Sequence, residues 1–146
     1  MKISILCSNL SNNCAGRSYI LAKLLQERFR VQIVGPIFGD GIWKPLSELQ
    51  DVEYKSIKFD APPKCYRQII DLYNQIDGDV IYANKLFFAS TGLGLWKKFF
   101  DRKPLVVDID DWDRAIARER IQQLSRAARL KAAMRWLAVW QEIVPR

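Results

Sequence analysis

Short apolar runs alternate with longer helical segments along almost the whole chain, and this alternation limits the fold more than any other feature of the sequence. Ile3 to Cys7 reads as a buried strand, and Arg17 to Phe29 as a helix whose pairs Ile20/Leu24 and Leu21/Leu25 form one apolar stripe. Val31 to Val34 is a second strand, closed by Gly35-Pro36. Val52 to Ile57 is a third and more exposed strand. A helix opens at Pro62-Pro63 and runs to about Ile76. After the tight turn Asp77-Gly78-Asp79, Val80 to Ala83 is a fourth strand. Leu86 to Phe100 is helical, weakened by Gly92 and Gly94, and Leu105 to Ile109 is a fifth strand. Everything after Asp113 reads as helix up to Pro145. Strand–helix alternation of this kind implies parallel strands with helices on both faces, joined by right-handed crossovers. The expected fold is therefore α/β: a doubly wound, mostly parallel sheet followed by a long basic C-terminal helix. Residues 1–112 form its sheet-bearing body, and residues 113–146 are a helical extension of the same domain.

Bulk properties narrow the function classes. With 146 residues, 49% hydrophobic and 27% charged, the chain can bury one core. No run has the 7–15 apolar residues of a secretory signal, and the weakly polar stretch from Leu86 to Trp96 falls short of the roughly 18 residues a transmembrane helix needs. A cytoplasmic protein is expected, with a peripheral place on the inner membrane face as a further option. The three cysteines Cys7, Cys14 and Cys65 have no C-x-x-C spacing, which argues against a disulfide framework and a zinc site. The absence of histidine removes Ser-His-Asp and Cys-His catalysis from this chain.

The net charge of +7 is uneven. From Asp113 to Arg146 eight basic residues face three acidic ones, an excess of five positive charges. Within that segment Ala117, Ile121, Leu124 and Ala128 share one helical face, and Ala133, Trp136, Leu137, Trp140 and Val144 another, which places a kink between Ser125 and Lys131. Trp136 and Trp140 beside Arg126, Arg129, Lys131 and Arg135 suit an anionic membrane surface, or equally a packed interface. Nucleic acid is not expected, because the basic residues are confined to one helical end and no recognition motif occurs.

In an open parallel sheet, ligands bind beyond the carboxyl ends of the strands. Four segments fall there: Ser8–Gly16, Gly35–Trp43, Asn84–Lys85 and Asp110–Asp113. The loop Ser8–Gly16 ends in a glycine before a helix, where backbone amides could meet an anion; neither G-x-G-x-x-G nor the P-loop pattern is present, so a structural turn is the competing reading. Asn84-Lys85 follows the fourth strand. Asp108-Ile109-Asp110-Asp111-Trp112-Asp113 places four carboxylates in six positions. Asp110 or Asp111 could act as a general base, a sugar-hydroxyl acceptor or a magnesium ligand, or Asp111 or Asp113 could cap the next helix.

Three blocks carry a family likeness. KISILC (2–7), followed by a loop and AGR (15–17), looks like a first strand and a glycine-rich donor-phosphate loop. DVIYANK (79–85) looks like a fourth strand, and KPLVVDIDDW (103–112) like a fifth. Together they resemble the N-terminal, Rossmann-like domain of glycosyltransferase family 4, which has the GT-B architecture. The resemblance implies a retaining enzyme that moves a sugar from a nucleotide-sugar to a sugar or lipid-linked acceptor, in cell-envelope or polysaccharide assembly, with no metal and no cofactor beyond the nucleotide-sugar substrate. It assigns Gly16 and Arg17 to the donor-phosphate cleft, Asn84, Lys85 and Asp111 to substrate binding, and Asp110 to catalysis. Ala15-Gly16 stands where relatives carry a glycine pair, and Asp110 where many carry histidine. The family's donor-binding domain, with its two-Glu motif, is not in the sequence. The chain is thus expected to be an incomplete acceptor-side half, inactive alone, working with a donor-domain partner chain or as a piece of a longer enzyme. Two rival readings remain. One is a stand-alone binding or interaction module at a membrane or partner chain. The other is a haloacid-dehalogenase-like phosphatase with Asp108 as nucleophile and Asp110 as acid/base.

Overall fold

The computed structural model describes residues 1–49, 51–60 and 65–109. The reading of residues 113–146 as a kinked basic helix, with Trp136 and Trp140, lies outside them, as do Asp110 and Asp111. The described residues form five strands: β1 (Lys2–Leu6), β2 (Arg30–Ile37), β3 (Glu53–Lys58), β4 (Val80–Asn84) and β5 (Leu105–Asp108). Three helices connect them: α1 (Cys14–Leu25), α2 (Cys65–Gln75) and α3 (Leu93–Phe100). All strand pairs are parallel, in the order β3-β2-β1-β4-β5. This is the doubly wound α/β sheet that the alternation implied.

Each face of the sheet has its own core. Ile3, Ile5, Cys7 and Ile33 pack under α1 with Ala15, Ala22 and Leu10. Leu6, Val34, Ile81 and Ala83 pack under α2 and α3 with Ile69, Leu72, Ile76 and Leu93. Successive residues of β1 therefore feed opposite faces, and Ser4, its one fully buried polar residue, accepts hydrogen bonds from Gln32 Nε2 at 2.6 Å and Gly78 N–H at 2.9 Å.

Several boundaries differ from the sequence reading, each for a local reason. Helix α1 starts at Cys14 rather than Arg17, because the Asn12 side chain accepts the Cys14 N–H at 3.0 Å and the Asn12 carbonyl accepts that of Ala15. It turns Ala15, Ser18 and Ala22 to the sheet, while Ile20 and Leu24 are 63% and 64% exposed. The small residues let the helix sit close, so Ile20 and Leu24 do not belong to the buried stripe.

Gly35-Pro36 does not close β2 but lies within it. The β1 ladder ends at the Leu6–Val34 pair. Beyond it the Pro36 carbonyl accepts from Leu10 N–H at 2.9 Å, and nothing there calls for the N–H that proline lacks. The segment expected as one helix from Leu86 is instead a π-type turn, Phe88–Gly92, followed by α3. Helix α3 presses on the sheet at Gly94, where a Cβ would stand 2.7 Å from Leu105 Cδ1 and 3.6 Å from Leu6 and Ala83 side-chain atoms.

Candidate functional site

Strand order reverses between β1 and β4, so the crevice of this sheet opens beyond their carboxyl ends. The β1–α1 loop forms one wall. Leu10 anchors it: its side chain is fully buried, and its carbonyl accepts from Trp43 N–H at 2.7 Å. Asn9 Oδ1 accepts from Ser11 N–H, and Ser11 Oγ accepts from Gly39 N–H. The loop is thereby tied both to itself and to the segment after β2.

Gly16 lies inside the first turn of α1. Its amide donates to the Asn13 carbonyl at 3.0 Å, and a Cβ there would be 3.1 Å from the Trp43 ring. Arg17, one residue on, reaches across the edge to Asp108 at the end of β5. Nη2 lies 2.8 and 2.7 Å from the two carboxylate oxygens, and Nε 3.1 Å from Oδ2. A guanidinium fork on a carboxylate is a strong and directional pair. Both side chains are partly exposed, which limits its share in stability to about 1 kcal/mol or less. The Tyr82 hydroxyl also bonds Asp108, and burial together with that carboxylate raises its pKa.

Asn84 ends β4 opposite Asp108 in register. It is 3% exposed. Its Nδ2 donates to Ser18 Oγ at 2.7 Å, while its Oδ1 is buried with no hydrogen-bond partner. Such an orphan acceptor is costly unless a donor arrives. Ser18, fully buried in α1, thus links the end of β4 to the helix. Cys7 Sγ donates to the Asn9 carbonyl at 3.4 Å; burial pushes its thiol pKa up to about 11, so it stays protonated and inert.

Lys85 takes a left-handed backbone, φ 67°, unusual for a side chain of its size. Its N–H donates to the Asp108 carbonyl at 2.9 Å. Its carbonyl accepts from Ser90 Oγ at 2.8 Å and Thr91 Oγ1 at 2.7 Å. Three segments far apart in sequence therefore meet at one edge, contributing Arg17, Asn84 with Lys85, and Asp108. The edge offers two cations, a carboxylate and an amide. That set can grip a phosphate and hold sugar hydroxyls by hydrogen bonds.

Of the residues singled out from sequence, Arg17, Asn84 and Lys85 come together here, and Gly16 sits beside them under Trp43. Asp110 and Asp111 lie outside the described residues. Asp108 entered the sequence reading as one of four clustered carboxylates and as a nucleophile in a rival scheme, and its pairing with Arg17 went unread. Ser18 was missed because a serine inside a helix carries no signal. Among the described residues there is no group of three or more metal-ligating side chains, and no helix is long and apolar enough to cross a membrane. A shallow cavity of about 420 Å³ lies at the opposite, amino edge of the sheet, with Lys2, Arg30 and Glu53 in its lining. Comparison with protein-family models, with curated proteins and with solved structures finds no match for this chain.

Proposed function

We propose that this chain is the acceptor-side half of a retaining glycosyltransferase of GT-B architecture, which moves a sugar from a nucleotide-sugar to a sugar or lipid-linked acceptor. The observation that carries the reading is the meeting of Arg17, Asn84, Lys85 and Asp108 at the strand-order reversal of a parallel sheet. In this reading Arg17 and Lys85 supply charge to the donor phosphates. Asn84 and Asp111 hold substrate hydroxyls, and Asp110 acts at the transferred sugar. Gly16 keeps the α1 entrance narrow. Nucleotide-sugar is substrate, and no resident cofactor is invoked. In this reading a donor-binding half completes the cleft. The reading places it at the cytoplasmic side of a membrane, with residues 113–146 available to an anionic lipid surface.

The pairing of Arg17 with Asp108 gives the reading a mechanical content. A phosphate entering the crevice competes with the Asp108 carboxylate for the same guanidinium fork. Binding then exchanges one anion for another, and Asp108 is released toward the substrate. Titration calorimetry with UDP, GDP, ADP and their sugar esters tests this. At least one nucleotide should bind, and Arg17→Gln should weaken it about tenfold, equivalent to about 1.4 kcal/mol. Binding of no nucleotide, or equal binding by Arg17→Gln, would count against the assignment. Once a donor half is supplied in trans, Asp110→Ala should abolish transfer, and full activity in that variant would remove Asp110 from the mechanism.

A further inference from the structure

The outer side of α3 carries a feature that the crevice does not use. Leu95, Lys98 and Phe99 follow the i, i+3, i+4 spacing of a single helical stripe, and Arg102 stands just past the end of the helix. Leu95 and Phe99 are 39% and 72% exposed, and the adjacent Phe100 is 76% exposed. The opposite side of the helix is packed: Leu93 is buried, and Trp96 meets Tyr73 and Phe88 edge-on. Two neighbouring phenylalanines left in water on a short helix form an apolar patch that calls for a covering.

The charges around this patch have one sign. Asp101 is the only acidic residue from Leu93 to Pro104, and it is neutralised from within. Lys97 Nζ contacts it at 2.7 Å and Tyr73 OH donates to it at 3.0 Å, while the same Lys97 lies 3.9 Å from the Tyr73 ring centre. Lys98 and Arg102 are both exposed, and among the described residues neither has a carboxylate within ion-pair distance. Arg102 also occupies a left-handed position, φ 54°, just after the helix. Glycine is the usual residue at such a helix end, so the site holds a cation where the backbone would favour none.

We infer that this face of α3 docks the protein on an anionic bilayer surface, with Phe99 and Phe100 entering the headgroup–acyl boundary and Lys98 and Arg102 binding lipid phosphates. A bilayer satisfies both halves of the stripe at once, because aromatic side chains settle at the interface while basic ones reach the headgroups. A second copy of the chain does not, since a twofold contact through this patch would gather two sets of Lys98 and Arg102 in one interface, where the one carboxylate from Leu93 to Pro104, Asp101, is already held by Lys97. The inference rests neither on the sugar-transfer reading nor on residues 113–146.

The test is flotation of the full chain with two kinds of vesicle: phosphatidylcholine alone, and phosphatidylcholine in which about a third of the lipid is phosphatidylglycerol. The chain should float with the anionic vesicles only and be released by high salt. Phe99→Ser with Phe100→Ser, and separately Lys98→Glu with Arg102→Glu, should each lower the bound fraction about tenfold. All four positions are exposed, so thermal unfolding should change little, and circular dichroism checks this. Flotation of both double variants at the wild-type level overturns the inference and leaves any lipid binding to residues 113–146. Failure of the wild type to float overturns it outright. So does a dimer in sedimentation velocity that the phenylalanine variant abolishes while lipid binding is unchanged.

Discussion

Gly35→Ala tests how firmly the crevice wall is built. The added Cβ would stand 2.6 Å from the Cys7 carbonyl oxygen, 3.1 Å from Leu10 Cγ and 3.2 Å from Cys7 Cβ. Ordinary contact begins at 3.4 Å, so the carbonyl must retreat by 3.4 − 2.6 = 0.8 Å. It cannot do so cheaply. Cys7 N–H is bonded to Val34 O at 2.9 Å, Leu10 N–H to Pro36 O at 2.9 Å, and both side chains are fully buried. Overpacking of this kind costs about 1–3 kcal/mol. Loss of unfolded-state freedom returns about 0.4–1 kcal/mol. The expected net destabilisation is about 1–2 kcal/mol, read as a lower urea midpoint at unchanged slope. Gly41→Ala is the internal control. Nothing lies within 4 Å of its Cβ position, and its φ is not positive. It should be neutral or more stable than wild type by up to about 1 kcal/mol. If Gly35→Ala matched Gly41→Ala, the β1–α1 loop would have to be free to move, and the reasoning that treats it as a fixed wall would fail.

Lys85→Val should be less stable than Lys85→Gly by about 1–2 kcal/mol, because both lose the lysine side chain but a β-branched residue is poorly accommodated at φ 67°; urea unfolding of both variants checks the pair. Stability should fall as pH drops from about 4 toward 2. Burial raises the pKa of Asp77, but hydrogen bonds and charge from Lys2 and Lys55 outweigh it and hold the group at about 2, against an ordinary 3.8. The depressed value means that the contribution is full above the unfolded pKa and lost as pH passes down through the folded one. Asp77→Asn should flatten that part of the stability–pH curve, and an unchanged slope would remove Asp77 from the account.

The alternation of apolar runs with helical segments was legible because Gly, Pro and Asp punctuate it cleanly, as at Asp77-Gly78-Asp79 before β4. The sheet class followed from that pattern alone. What sequence did not show depends on contacts between distant residues. Arg17 and Asp108 are 91 positions apart, and they meet only because β5 lies beside β4 and α1 begins at the same carboxyl edge of the sheet, beyond β1. Ile20 and Leu24 are as apolar as Leu21 and Leu25, so composition could not tell which pair faces the sheet. The close seat of Ala15, Ser18 and Ala22 decides it. The start of α1 shifted because one side chain, Asn12, begins the turn early. Arg17, Asn84 and Lys85 were found because strand ends are where such sheets keep ligands. Ser18 and the pairing of Arg17 with Asp108 were overlooked because their importance lies in contacts between distant segments.

The central position of β1 carries a consequence for synthesis. This strand, residues 2–6, leaves the ribosome before the other four, yet it pairs with residues 30–34 on one side and 80–83 on the other. Its first partner ends at Ile37, and its second begins at Val80. At roughly 5–20 residues per second, about 2–9 s separate the two events. During that interval the half-built sheet presents an unpaired edge on its most buried strand, with Ile3 and Ile5 beside it. An exposed apolar edge is a template for wrong pairing. The nascent chain is therefore most vulnerable to aggregation between the completion of β2 and the arrival of β4, and it is in that window that a chaperone would matter.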